Sequence, residues 1–222
     1  MLTEPVLATR HEGGRAVPLL LWRAAGPLLA VSSAPLGGGI GVRHWLINAT
    51  VPMSYDRDDP DVHLAGMADR LGLRGAGVGL LTGVDVADVV AAEDRGVRVW
   101  ATVGLGAPIQ AAAPAPAPQA RVGTINIVAF VPARLSDAAL VNSVATITEA
   151  KVQALTELGL LATGTATDAV SVLCPPDGPV SRYGGPRSDW GAPLARAAYG
   201  AVVTGGRGGP QALTAWSDRP DR

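Results

Sequence analysis

The stretch GTINIVAFVPARLSDAALVNSVATITEAKVQALTELGLLATGTATDAV, Gly123 to Val170, decides the fold. Its first part is an apolar, β-branched run that reads as a strand. Ser136 then stands where a helix N-cap belongs, with Asp137 in the first turn. Leu140, Val144, Ile147, Ala154, Leu155 and Leu158 recur at helical spacing until Gly159 stops them. After TGTATDAV the chain turns back into a strand, and a further helix is expected from about Ala192 to Val203. Strand, long helix, strand and helix in the second half, after a strand-rich first half, predict one α+β (or α/β) domain in which helices pack on a layered, mixed sheet.

Working outward, Val17–Trp22, Pro27–Ser33 and Gly41–Val51 read as strands, with Gly37, Gly38 and Gly39 turning into the third. Asp59 and Pro60 start a helix on which Val62, Leu64, Met67, Ala68 and Leu71 share a face up to Gly72. Three runs, Gly77–Gly83, Val86–Glu93 and Val97–Gly104, are read most simply as an antiparallel meander, and Asp85 alternatively caps a short helix. Residues 107–119 are rich in Ala and Pro, a composition that prefers an extended solvated backbone, so a surface loop is expected inside a domain of residues 1–205. The remainder, 206–222, rich in Gly, Asp and Arg, is expected to be peripheral and partly disordered.

Composition narrows the function. The 222 residues carry a net charge of −1 with 17% charged side chains and no basic run, which argues against nucleic acid or an anionic membrane as partner. No window approaches the roughly 20 apolar residues of a spanning helix. The beginning, MLTEPVLATRHEGGR, lacks the pattern of an export signal, and a cytoplasmic protein is expected. Cys174 is the one cysteine and precedes two prolines, which suits the end of a buried strand. His11, His44 and His63 show no paired spacing and there is no CxxC, so neither a metal site nor a cofactor is expected.

The polar residues of the central stretch carry the chemistry. Lys151 is the one lysine among 18 Lys and Arg residues, and it falls on the apolar stripe of the helix. There it either snorkels across the rim or ends on a buried acceptor such as a carboxylate. Asn142, Thr146, Glu149 and Gln153 form a row on the other side, either the wall of a polar cleft or ordinary surface. Thr163, Thr165 and Thr167 alternate before Asp168, with Gly164 allowing close backbone approach; the alternative is a set of satisfied turns. Thr124 and Asn126 offer a similar polar edge. GxSxG is absent, and His44 and His63 are distant in sequence from any suitable serine, though folding could unite them.

GTIN, LSDAALVNSVATITEAKVQAL, ATGTATDAV and YGGPRSDWG, with LIN, DDP, GLLTGV and ATVGLG before them, resemble the adenosylcobinamide amidohydrolase family (CbiZ). The resemblance spans about residues 37–205 and is most specific from Gly123 to Asp168; Ser188 stands where a threonine is expected. It implies hydrolysis of the amide joining aminopropanol to the corrin ring of adenosylcobinamide, giving adenosylcobyric acid in corrinoid salvage, with the cobalt belonging to the substrate. Such a reaction requires an activated water or nucleophile, a proton for the amine, and donors for the oxyanion. Glu149 or Asp168 is the expected base on a water or on the hydroxyl of Thr124 or Thr165. Lys151 is an alternative activator or acid, and Asn126, Asn142 and the amides near Gly164 would polarise the carbonyl. Asn48, Thr163, Thr167 and Tyr183 complete the expected substrate contacts in a broad apolar cleft, with Trp190 and His44 at its rim and His44 a candidate axial ligand to the substrate cobalt. A non-catalytic corrinoid carrier would use the same cleft, and a homo-oligomer is compatible with either.

Overall fold

The computed structural model describes residues 1–114 and 123–219. Eight strands form one mixed, open sheet: β1 (Val6–Glu12), β2 (Arg15–Ser32), β3 (Gly39–Thr50), β4 (Gly77–Thr82), β5 (Val90–Asp94), β6 (Val97–Val103), β7 (Ile125–Phe130) and β8 (Ala169–Cys174). The order is β4-β3-β2-β8-β7-β6-β5, with β1 paired to β2. The helices are α1 (Pro60–Arg70), α2 (Asp137–Glu157), α3 (Gly191–Gly206) and the short α4 (Pro210–Leu213). The layered α+β domain expected from the sequence is therefore present.

Two pairs, β3 with β4 and β7 with β8, are parallel, and each is joined through a helix, α1 or α2. Parallel neighbours need such a crossover, which a two-residue hairpin cannot supply. The expected meander thus holds only for β5 and β6, whose turn is Arg95-Gly96 at φ +50° and +81°, the left-handed pair that matches strand twist. β4 lies instead at the far edge beside β3. Two of the expected strands are one, β2, interrupted by a register shift between Arg23 and Leu28. The first part of β2 pairs with β1 and the last part with β8.

The sheet curls until its halves face each other. Trp22 of β2 and Trp100 of β6, with β8 and β7 between them in the strand order, meet edge to face at 6.0 Å and 70°. They sit in an inner core with Leu46, Leu80, Val128 and Phe130. Outside one half, α1 packs Leu64 and Met67 on Leu19 and Ile47. Outside the other, α2 and α3 bring Leu140, Ile147, Leu155, Leu194 and Val202 onto Val99, Ile127 and Val172. Every residue of β7 and β8 is buried, as expected of strands covered on both faces. Ser136 caps α2 by accepting from the Ala139 amide, and Asp85 caps a short 3₁₀ turn through the Ala87 amide.

The segment expected to be peripheral packs instead. Trp216 is buried, its amide donates to the Gly83 carbonyl at 2.8 Å, and the Leu105 amide donates to Ala212 at 2.6 Å. Arg219 pairs with Asp85 and Asp88. The large apolar area of one tryptophan outweighs the flexible composition around it; residues 220–222 lie outside the described ones. Of the Ala/Pro segment, residues 115–119 lie outside the described residues, and its start is tied down by reciprocal backbone bonds of Ile109 with Thr163 and Gly164, each 2.8 Å. Among the described residues no helix is long and apolar enough to cross a membrane.

Candidate active site

Asp168 stands just before β8 and organises the surrounding loops. Its Oδ2 accepts from Lys151 Nζ at 2.5 Å and from the Thr165 amide at 3.0 Å; its Oδ1 accepts from the Thr165 hydroxyl at 2.5 Å and the Ile125 amide at 2.9 Å. One carboxylate thereby ties α2, the start of β7 and the turn before β8 together. The lysine on the apolar stripe does end on a buried carboxylate, and both side chains are nearly inaccessible. Four donors fill the acceptor positions of its two oxygens and leave none turned to a water, which is the geometry of a positioning group rather than of the expected base. The same holds for Thr165, whose hydroxyl is committed to Asp168.

Gly164 makes this packing possible. A Cβ there would collide with Asp168 Oδ2 and stand 2.6 Å from Lys151 Nζ. Gly164→Ala is expected to destabilise the fold by about 1–3 kcal/mol, as overpacking does. Gly200→Ala in α3, where a Cβ would meet nothing within 4 Å, is expected to be neutral or stabilising. Urea denaturation of the two variants checks the contrast.

Beside the cluster lies a cavity of about 340 Å³, where the ends of β3 and β4 meet the starts of β7 and β8. Val51, Pro52, Met53, Leu80 and Leu81 make it apolar, and Thr82, Thr124, Asn126, Thr167 and Tyr55 supply polar groups. Thr124 and Thr167 share a hydrogen bond of 2.7 Å between hydroxyls. Asn126, 1% exposed, donates from Nδ2 to the Leu81 carbonyl and to Asn48 Oδ1, both at 2.9 Å, while Asn48 Nδ2 donates to Thr102 at 3.1 Å. The Leu81 carbonyl can only accept, which fixes the orientation of the Asn126 amide. Asn126 Oδ1 is left buried with no partner. This corrects the expectation that Asn126 polarises a carbonyl: its donors are used, and what remains is an acceptor for an N–H.

A second polar chain reaches the cavity from α1. Tyr55 Oη is 3.2 Å from His63 Nδ1, His63 Nε2 is 2.7 Å from Glu12 Oε1, and Glu12 Oε2 accepts from Arg10 Nε at 2.9 Å. The Tyr55 and His63 rings are stacked at 5.6 Å. Sequence reading left His63 unassigned and missed Tyr55 and Glu12, which come from β1, a loop and a helix. No local pattern marks them, because Arg10 is buried between exposed neighbours on β1 only in the folded sheet.

Other expected residues lie apart. Glu149, Asn142 and Gln153 face solvent on α2, and Glu149 makes no hydrogen bond or ion pair with a described residue. Only Thr146 of that row turns inward, donating to the Gly184 carbonyl at 2.8 Å. Tyr183 is 75% exposed and does not line the cavity. The three threonines diverge: Thr163 accepts from the Ala111 amide, Thr165 turns to Asp168 and Thr167 to Thr124. His44 is exposed on β3. Burial pushes the Cys174 thiol up, consistent with an inert strand end.

Fold and site together define a layered α+β protein with an apolar cavity closed on one side by hydroxyls and a buried amide that lacks an N–H partner. The chain belongs to the adenosylcobinamide amidohydrolase (CbiZ) family, whose model matches residues 4–209. It is 32% identical over 189 residues to the adenosylcobinamide amidohydrolase of Methanosarcina mazei, an alignment covering 81% of this chain and 90% of that one. A protein of the same description from Halobacterium salinarum is 41% identical over 125 residues, 51% of each chain. Among solved structures, the PH0078 protein of Pyrococcus horikoshii OT3 is similar at a TM-score of 0.45 and 10% identity, over 90% of this chain and 80% of that one. The family match includes β1 and β2, which lie ahead of the segment that carried the resemblance in sequence.

Proposed function

We propose that this chain hydrolyses the amide between aminopropanol and the corrin ring of adenosylcobinamide, releasing adenosylcobyric acid, and that the cavity beside Thr124 and Asn126 holds the scissile bond. Membership in the family supports the substrate, and the observation that carries the placement is the unpaired Asn126 Oδ1. A buried acceptor without a partner is costly, and a secondary amide brings the N–H that satisfies it. Thr124 and Thr167 then lie next to the carbonyl, where a hydroxyl can turn its proton from its neighbour to a developing oxyanion by rotation about one bond.

Volume decides how the substrate enters. A cavity of about 340 Å³ is at the low end of ligand pockets and far too small for a corrin macrocycle. It fits the amide arm and aminopropanol, leaving the ring against the mouth. The expectation of one broad cleft for the whole corrinoid is revised accordingly. Asp168, Lys151 and Thr165 serve as the frame: Ile125, whose amide Asp168 holds, sits between Thr124 and Asn126.

The test is incubation with adenosylcobinamide, followed by chromatography for adenosylcobyric acid and free aminopropanol. Both products are expected in equal amounts. Unchanged substrate with a shifted corrin spectrum would replace hydrolysis by the carrier reading.

A further inference from the structure

Among the described residues lining the cavity, Tyr55 is the one whose side chain titrates. Asp168, next in the chain to the lining residues Thr167 and Ala169, is filled by four donors. Amide hydrolysis nevertheless needs a proton removed from the attacking water and another delivered to the departing nitrogen. Tyr55 has behind it an acceptor chain, His63 and then the Glu12 carboxylate, which is held by Arg10, whose guanidinium also donates to the Pro18 and Thr50 carbonyls at 3.2 and 2.6 Å.

Resting on the amidohydrolase reading, we propose that Tyr55 is the proton-transfer residue of this cavity and that His63 and Glu12 are its positioning and relay partners.

The proton positions follow from the neighbours. Glu12 is partly buried, which opposes ionisation, but Arg10 and His63 outweigh this and hold its carboxyl below the usual range. An ionised Glu12 accepts, so His63 Nε2 carries the hydrogen. Burial lowers the His63 pKa despite Glu12, so at neutral pH the ring is uncharged and Nδ1 is an acceptor for the Tyr55 hydroxyl. Partial burial raises the Tyr55 pKa, keeping the phenol protonated at rest. Carboxylate, imidazole and hydroxyl are thus in the order that activates a hydroxyl in hydrolases, with a phenol in the terminal place.

As water attacks the carbonyl carbon, one water proton passes to the Tyr55 oxygen while the Tyr55 proton passes to His63 Nδ1. The imidazolium is held between Tyr55 and Glu12. When the tetrahedral intermediate collapses, the C–N bond breaks with its electron pair on nitrogen. His63 returns the proton to Tyr55, and Tyr55 gives one to the amine. The second water proton leaves with the new carboxyl group and is lost on ionisation, so the relay ends as it began and no other reactant is consumed.

The experiment measures kcat and KM on adenosylcobinamide against pH for the parent, Tyr55→Phe, His63→Gln and Glu12→Gln, with corrinoid binding by absorbance titration and thermal unfolding alongside. Tyr55→Phe is expected to lower kcat about 10²- to 10⁴-fold while corrinoid affinity and unfolding stay near those of the parent. The parent should lose rate as pH falls through the depressed pKa of His63, because protonating Nδ1 removes the acceptor. The charged and titrating groups around that ring are Glu12 and Arg10 from β1, Tyr55, Arg57 and Asp59 from the loop, with Arg70 of α1 acting on Arg10. His63→Gln should therefore abolish this acidic limb, a change that a purely structural role would not produce. Turnover by the parent together with a Tyr55→Phe kcat within a few-fold of it overturns the relay alone. Should Tyr55→Phe not fold, an acidic limb retained in His63→Gln overturns it equally. A parent that binds the corrinoid without product overturns the amidohydrolase reading, and the relay with it.

Discussion

Asp168→Ala is expected to destabilise the protein by about 3–5 kcal/mol, the cost of leaving one member of a buried ion pair without the other. Lys151 Nζ loses the carboxylate it contacts at 2.5 Å, and the amides of Ile125 and Thr165 lose their acceptor with it. Against a total stability of about 5–15 kcal/mol this is a large fraction. For a chain of this size it corresponds to a fall in Tm of roughly 6–20 °C. The loss should depend on the stranded charge. Lys151→Met combined with Asp168→Ala is expected to cost clearly less than the sum of the two single changes, because the double variant strands no ammonium. Thermal unfolding of all four proteins closes the cycle, and additive losses would show that the pair does not organise the site.

Asn126→Ala is expected to lower kcat/KM by about 10²-fold, since it removes the group that fixes the scissile amide and a displacement near 1 Å at a reacting centre has that effect. It also strands the Leu81 carbonyl and Asn48 Oδ1, at about 1–3 kcal/mol for each buried group left unsatisfied. A substrate analogue whose amide nitrogen carries a methyl in place of hydrogen separates the two effects. The parent should discriminate against this analogue, and the Asn126→Ala protein should lose most of that discrimination. Equal discrimination by both proteins would mean that Asn126 Oδ1 does not accept the amide N–H.

Local physics was legible in the sequence where it acts over a few residues. Ser136 before Asp137, Asp85 before the 3₁₀ turn and the apolar stripe of α2 all depend on neighbours within a turn or two, and all are present. The inference that Lys151 ends on a buried acceptor needed only its place on that stripe, and Asp168 supplies the acceptor. Period alone does not say which strand lies beside which, so β4 was placed in a meander although it runs parallel to β3. Nor does it say which polar face of a helix is covered: Glu149 and Asn142 share a row with the buried Thr146, yet only Thr146 meets the Gly184 carbonyl. The chain of Tyr55, His63 and Glu12 was not legible, because it exists only once β1 and α1 pack on the same half of the sheet. Nor does burial in β1 follow hydrophobicity, with the adjacent Val6 and Leu7 both exposed and Arg10 inside, so hydrophobicity did not mark it as a strand.

Amide cleavage between Asn126 and Tyr55 is tested most directly by a crystal structure of the Tyr55→Phe protein with adenosylcobinamide bound. The predicted result has the aminopropanol arm inside the cavity, the amide nitrogen about 3 Å from Asn126 Oδ1, its carbonyl beside Thr124, and the corrin ring outside against the mouth. A corrinoid whose amide arm lies elsewhere, for example along the exposed face of Glu149 and Tyr183 with the cavity unused, would contradict it.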